Sequence, residues 1–245
     1  QTWLATFLDL SNGIPSHDRF NHVLARLRPD EFEKCLLSWI NALHEITDGQ
    51  IIAIDGKTLR RSFDRANSKA AIHMVTAWAT ANQISLGQVV VDDKSNEITA
   101  IPELLKLLEI KGSLVTIDAM GCQVKIAGQI ISQNADYVLA VKGNQPTLHA
   151  GIVAHFNDYL DNDNACEGRG HYHTSEKAHG RETDRSYWVC KVPADLPDQT
   201  RWPGLKAIGM TINRTIRDGK ESLEGRYYIP VSYTHIRAHE TNGDL

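Results

Sequence analysis

Residues 51–56 are IIAIDG and residues 113–121 are SLVTIDAMG, two stretches that share one pattern. Each is a short apolar run typical of a buried strand, and each run ends in an aspartate, Asp55 or Asp118. Ligands bind beyond the carboxyl ends of strands in open α/β sheets, so two carboxylates there could share a divalent cation. Mg²⁺ suits such a site because it takes one or two carboxylates together with substrate phosphate. In the alternative interpretation both aspartates only cap turns, and spacing alone does not separate the two.

Elements of alternating type surround these runs. Segments 72–80 and 84–93 have the composition of strands, and segment 98–110 has helical periodicity. Beyond Asp118, a helix, a strand and a second helix are predicted at 123–133, 135–145 and 146–160. The order β-β-β-α-β-α-β-α predicts an α/β fold, with a mixed sheet and flanking helices.

The flanking regions differ from this centre. Residues 1–50 predict two helices, the first capped by Ser16 and the second opening with Pro29. Residues 158–180 are polar and predict a loop, after which three short segments predict strands at 186–192, 205–216 and 226–231. We therefore expect a helical region at 1–50, a core at 51–160, a β-rich insertion at 161–229 and a tail at 230–245.

Composition narrows the class of protein. The chain has 245 residues, of which 42% are hydrophobic and 23% are charged, as in ordinary globular proteins. No apolar run reaches the length of a membrane span. The net charge of −4 counts mildly against a dedicated nucleic-acid coat, and the four widely spaced cysteines fit reduced thiols in a cytosolic protein. No basic leader precedes a long apolar run, so we expect no secretory signal. Because the chain begins with Gln1 instead of Met, we also expect that its true start is missing.

Basic and amide side chains follow two of the predicted strands. The first set is Lys57, Arg60 and Arg61, and the second is Lys142, Asn144 and Gln145. Both sets are placed to reach phosphates beside a metal site. The alternative is that they are solvated surface groups. A histidine cluster at 171–179 approaches zinc-ligand spacing only at His171 and His173, so a polar loop is the preferred interpretation there.

Five segments together resemble one protein family. SNGIPSHDRF, IIAIDGKTLRRSFD, LVTIDAMGCQ, YVLAVKGNQPTL and HGRETDRSYWVC resemble, in this order, the H-repeat-associated proteins, which are DDE-type transposases of bacterial insertion sequences. The resemblance runs from about residue 8 to about residue 229. It implies a ribonuclease H-like fold in which Asp55 and Asp118 match the first two metal-binding aspartates. It also implies cleavage and transfer of double-stranded DNA at element ends and target, dependent on Mg²⁺ or Mn²⁺, by a homodimer with no membrane partner.

The third carboxylate of the family has no clear match. In the family it is a glutamate in an H-W-H-x-E-N-like segment after the last strand, whereas here residues 230–245 are PVSYTHIRAHETNGDL. The start of this tail resembles the translation of a sequencing-library adapter, so we expect it to be foreign to the transposase, and Glu240 lacks the family context. Glu182 matches a recurring family segment and is the remaining candidate for metal contact.

These departures predict an incomplete transposase with weak or absent activity. The alternative is a non-catalytic nucleic-acid-binding or regulatory remnant of the same fold. An unrelated Mg²⁺ phosphohydrolase is disfavoured, because Asp55 is followed by Gly-Lys and not by the second aspartate of an Asp-x-Asp motif.

Overall fold

The computed structural model describes residues 3–43, 50–58, 73–80, 83–91, 97–162, 170–178, 181–217 and 219–231. The chain divides into two compact units, Gln1–Glu45 and Ile46–Leu245. The first unit contains a 3-10 turn and two helices, α1 (His17–Leu24) and α2 (Pro29–Leu43). Ser16 caps α1 as predicted, because its hydroxyl accepts a hydrogen bond of 3.3 Å from the Arg19 backbone N–H.

The second unit is built on a mixed sheet. Its helices are α3 (Glu97–Leu107), α4 (Val124–Ser132) and α5 (Pro146–Asn162). The strands that the described residues form are β1 (Ile51–Thr58), β2 (His73–Ala79), β3 (Ile84–Val91), β4 (Leu114–Ile117), β5 (Asp136–Val141), β6 (Gly170–Ala178), β7 (Arg181–Lys191), β8 (Ala207–Arg217) and β9 (Lys220–Pro230).

The strands join into one sheet with the order β3-β2-β1-β4-β5-β9-β8-β7-β6. β4 pairs in parallel with β1 and β5, and the other neighbours are antiparallel. The predicted α/β class with a mixed sheet is therefore confirmed. The strands that the sequence assigns to a β-rich insertion continue the central sheet, because β9 pairs directly with β5.

Helices cover the sheet face that carries the even-numbered residues of β1. α3 lies against β2 and β3, α4 against β5, and α5 against β9. The close approach of Gly56 to Glu97 at the start of α3 marks this face. Side chains alternate along a strand, so Asp55 lies on the opposite face. None of the helices in the described ranges is long and apolar enough to cross a membrane.

The loop predicted at 158–180 is partly wrong. Residues 170–178, which the sequence places in a loop, form β6 and pair with β7 from Gly170↔Val189 to Ala178↔Arg181. β6 is an edge strand whose side chains are mostly exposed, so it needs no apolar alternation to be stable. His171 stacks on Trp188 and His173 hydrogen-bonds Ser186, so both histidines engage β7.

Candidate active site

Asp55 and Asp118 occupy matched positions on neighbouring strands. The parallel pairing of β1 with β4 ends at Ile54↔Ile117, and the two aspartates are the next residues on each strand. Matched residues of parallel strands lie on one face, and neighbouring strands are about 4.8 Å apart. Both side chains are exposed. The structure therefore brings the two predicted carboxylates to the same edge and the same face of the sheet.

Asp55 lies inside β1 and not at its end, which differs from the prediction. β1 continues to Thr58 because it keeps pairing with β2 up to Thr58↔His73. Its pairing with β4 stops earlier, because β4 ends at Ile117 and the chain turns. Asp55 thus comes directly after the segment of β1 that pairs in parallel with β4.

Asp118 caps the turn that follows β4. Its Oδ1 accepts a hydrogen bond of 3.0 Å from the Met120 backbone N–H, at the start of a 3-10 turn over Ala119–Gly121. This is the capping role that the sequence left open. A carboxylate has two oxygens and several lone pairs, so capping through Oδ1 is compatible with binding a cation.

Two amides connect the loop after β5 to this turn. Asn144 Nδ2 donates a hydrogen bond of 2.5 Å to the carbonyl of Ala119, and Gln145 Nε2 donates one of 2.9 Å to the carbonyl of Cys122. Each amide therefore has a donor occupied by backbone of the turn next to Asp118. Their predicted contact with phosphate stays a prediction, and holding the two loops together is the contact that the structure shows.

A pocket of about 70 Å³ opens beside Asp118. Its wall combines residues of β5 and β9 with the turn after β4, and the lining residues are Asp118, Ala119, Ala140, Val141, Lys142, Arg226, Tyr227 and Tyr228. Lys142, a predicted phosphate contact, therefore does lie near Asp118. Arg226 was missed as a site residue, although the sequence predicts a strand at 226–231 that begins with it.

A buried apolar cluster packs next to the candidate site. Leu114, Val138, Ala140 and Tyr228 form one buried cluster together with Ala119. By the strand registers, these four strand residues lie on the same face as the aspartates. The cluster fixes the spacing of β4, β5 and β9, and with it the position of the pocket relative to Asp118.

Of the other predicted basic residues, the structure describes only Lys57. Lys57 is exposed on β1 and, two residues after Asp55, lies on the same face. Arg60, Arg61 and Glu240 fall outside the described residues.

The structure does not bring Glu182 to the aspartates. It lies on β7, four strands from β4 in the sheet, which corresponds to roughly 19 Å at the usual strand spacing. Its carboxylate forms an ion pair with Lys177 of the edge strand β6. In the described part of the chain, no cluster of three His, Cys, Asp or Glu side chains is arranged to hold a metal ion.

A histidine–glutamate pair lies on the opposite face of β1. His73 Nε2 and Glu97 Oε1 are 2.6 Å apart, and the Glu97 side chain is 16% exposed. A Cβ on Gly56 would overlap the same Glu97 oxygen, so a larger residue at this position would require the Glu97 carboxylate to shift. Gly56, the residue after Asp55, therefore packs against Glu97 on the helix-covered face of the sheet.

Five neighbouring strands of the sheet have the order β3-β2-β1-β4-β5, and acidic residues follow the point where the pairing of β1 with β4 ends. This arrangement is that of a ribonuclease H-like domain. Two family descriptions match the sequence: "Transposase DDE domain" over residues 46–224 and "DDE_Tnp_1-associated" over residues 1–40. The chain belongs to the transposase DDE domain family.

The names of similar proteins agree with this family. The chain is 45% identical over 231 residues to "Putative transposase YncI" of Escherichia coli O157:H7, covering 93% of this chain and 58% of that protein. It is 43% identical over 232 residues to "H repeat-associated putative transposase YhhI" of Escherichia coli K12, covering 93% and 61%. It is also 43% identical over 198 residues to "H repeat-associated putative transposase YbfD" of the same strain, covering 81% and 77%. The chain thus spans about three fifths of the length of the first two relatives.

Among solved structures, a piggyBac transposase synaptic complex with hairpin DNA resembles the chain with a TM-score of 0.36 and 11% identity. The likeness covers 76% of this chain and 34% of that one. A TM-score and an identity this low support no conclusion about the fold or the function of the chain.

Proposed function

We propose that this chain carries out metal-dependent DNA strand cleavage and strand transfer as part of an insertion-sequence transposase, with Asp55 and Asp118 as its metal ligands. The observation that carries the proposal is the register of β1 and β4, which sets the two aspartates next to each other on one sheet face. Family membership supports the reaction type.

The donor set suits a hard divalent cation. Two exposed carboxylates on one face provide oxygen ligands, which Mg²⁺ and Mn²⁺ prefer over nitrogen or sulfur. When bound there, the metal would activate the attacking oxygen and stabilise the leaving oxygen of a phosphodiester. The chain's own contribution is to hold the two carboxylates in register and to fix the turn after Asp118 through Asn144 and Gln145.

The substrate we propose is double-stranded DNA. Lys57 and Lys142 lie at the same edge as the aspartates, where they would offset the repulsion between the carboxylates and a phosphate backbone. A protein that acts on the DNA of a bacterial insertion sequence would work in the cytoplasm as a homodimer that joins two element ends.

One observation favours a second candidate, a non-catalytic DNA-binding remnant. Only two carboxylates meet at the edge that the described residues form, and Glu182 is too distant to be the third. Two carboxylates bind metal ions more weakly than three do, so we expect this chain by itself to be at most weakly active.

Nicking of supercoiled plasmid with Mg²⁺ or Mn²⁺ tests the proposal. We expect slow nicking that disappears in Asp55→Asn and in Asp118→Asn. Asp136→Asn is the matched control, because Asp136 begins β5 at the opposite end of the strands and its loss should leave nicking unchanged. Equal nicking by Asp55→Asn and wild type would overturn the catalytic assignment.

Calorimetric titration with Mn²⁺ separates the two candidates. Metal binding that requires both aspartates, together with measurable nicking, supports the enzyme. Metal binding without nicking supports the remnant, and DNA binding with no metal binding excludes the proposed metal site.

A further inference from the structure

Arg226 is held by a neighbouring carboxylate on its own strand. Its Nε donates to Glu224 Oε1 at 3.0 Å and its Nη2 donates to Glu224 Oε2 at 3.3 Å, which is a two-pronged pair. The two side chains are 38% and 57% exposed, so solvent and ligands can reach both. Residues 224 and 226 lie on the same face of β9, which is also the face of Tyr228.

This face of β9 lies next to the candidate active site. Tyr228 pairs with Ala140, which stands opposite the position of Asp118, and Arg226 and Lys142 both line the pocket beside Asp118. The pKa of Glu224 is lowered, mainly by its hydrogen bonds from Arg226 and further by the charges of Arg226 and Lys142. Two cations therefore act on one carboxylate at the edge of this pocket.

We propose that Lys142 and Arg226 form a phosphodiester-binding site at the edge of the Asp118 pocket, and that a DNA phosphate replaces the Glu224 carboxylate on Arg226. The inference rests on the proposed function, which it extends to Arg226 of β9. A guanidinium binds carboxylate and phosphate oxygens with the same fork of donors. A carboxylate and a phosphodiester each carry one negative charge, so the exchange leaves the charge on Arg226 balanced.

This exchange gives Glu224 a specific role. With no DNA present, its carboxylate keeps the guanidinium in a fixed position. When DNA is present, Glu224 competes with the phosphate, so removal of its charge should tighten binding. A salt bridge that only stabilised β9 would have the opposite effect or none.

DNA binding in EDTA tests the inference without any metal chemistry. The probe is a fluorescein-labelled duplex of random sequence, and its anisotropy is measured with the full chain between about 50 and 200 mM salt. We expect Arg226→Gln and Lys142→Gln each to weaken binding about tenfold at low salt and to reduce the slope of log K against log salt by about 0.9. We expect Glu224→Gln to tighten binding about threefold, and Arg226→Gln/Glu224→Gln to behave like Arg226→Gln, as estimated for one phosphate contact.

A matched ion pair on the same hairpin provides the control. Arg214 donates to both oxygens of Glu221, at 2.7 and 3.4 Å. Arg214 pairs with Leu223 across β8 and β9, so it lies on the opposite face from Glu224. Arg214→Gln and Glu221→Gln should leave affinity and salt slope as in wild type, apart from the long-range effect of one charge.

Unchanged affinity and slope in Arg226→Gln would overturn the proposed site, and weaker binding by Glu224→Gln would overturn the exchange. Arg226→Lys keeps the charge without the fork, so binding intermediate between wild type and Arg226→Gln supports the pairing geometry. If Arg226→Gln and Glu224→Gln do not change DNA binding as expected while nicking still depends on Asp55, this inference is overturned and the proposed function is not. If nicking does not depend on Asp55 but Arg226→Gln weakens binding, the proposed function falls and the phosphate site remains.

Discussion

Asn144 donates a hydrogen bond of 2.5 Å from its side chain to the carbonyl of Ala119, and this contact joins the loop after β5 to the turn that begins at Asp118. The two segments are far apart in sequence, and both border the pocket beside Asp118. The contact gives Asn144 a positioning role that can be separated from direct phosphate binding.

Asn144→Ala should lower the free energy of unfolding by about 1 kcal/mol, because the part-buried Ala119 carbonyl loses its donor. Urea unfolding measures this change. Nicking should fall while the affinity for duplex DNA in EDTA stays within twofold of wild type, as expected for one uncharged side chain. Gln88→Ala, an exposed amide on β3, is the control for stability. A large loss of DNA affinity in Asn144→Ala would instead show that its amide binds phosphate.

Substitutions at Asp118 should separate its two roles. Asp118→Asn keeps an oxygen that can accept from the Met120 N–H, so stability should stay near that of wild type while Mn²⁺ binding is lost. Asp118→Ala removes the cap as well and should cost about 1 kcal/mol of unfolding free energy. Thermal unfolding and calorimetric titration of the two variants measure the difference. If Asp118→Asn bound Mn²⁺ as tightly as wild type, Asp118 would be a capping residue only.

Gly56→Ala should destabilise the fold by about 1–2 kcal/mol, because a Cβ at this position displaces the Glu97 carboxylate from His73. Gly143→Ala is the matched control, since nothing lies within 4 Å of the Cβ that it would add. Denaturant midpoints of the two variants test the prediction. Equal midpoints would show that Glu97 moves away from Gly56 without cost.

The thiol of Cys122 should resist alkylation in the folded protein. It is fully buried, and burial raises its pKa from 9.0 to about 12, whereas Cys35 is exposed. Iodoacetamide at pH 8 followed by mass spectrometry should modify Cys35 and leave Cys122 intact until the chain unfolds. Modification of both at similar rates would contradict the burial of Cys122.

The raised pKa of Cys122 also predicts a pH dependence of stability. The unfolded thiol loses its proton near pH 9, while the folded thiol keeps it to about pH 12. The free energy of unfolding is therefore fully retained below pH 9 and falls above it, by at most about 1.4 kcal/mol per pH unit. Burial also raises the pKa of Tyr137 above its usual value of 10.0, so the Tyr137 hydroxyl contributes mainly at higher pH. In urea titrations between pH 9 and 10, the decline in Cys122→Ala should be smaller than in wild type.

The sequence predicted most elements of the core and the apolar runs that precede both aspartates, because these signals are local, and the metal-binding role of the aspartates stays a prediction. An apolar run that ends in an acidic residue can be read from a few neighbouring positions, as at Ile54-Asp55 and Ile117-Asp118. The prediction of a loop failed at β6, because this polar edge strand is stabilised by backbone pairing with β7 and has no apolar pattern.

Local sequence determined that apolar runs lead into Asp55 and Asp118, that helices alternate with strands after β3, and that a polar loop with Lys142 follows β5. The tertiary structure alone decided that β9 pairs with β5 and so brings Arg226 to Asp118, while β7 carries Glu182 away. The physical reason is that strand pairing depends on backbone hydrogen bonds between distant segments. Such bonds are nearly independent of side-chain identity, and so they leave little trace in local residue patterns.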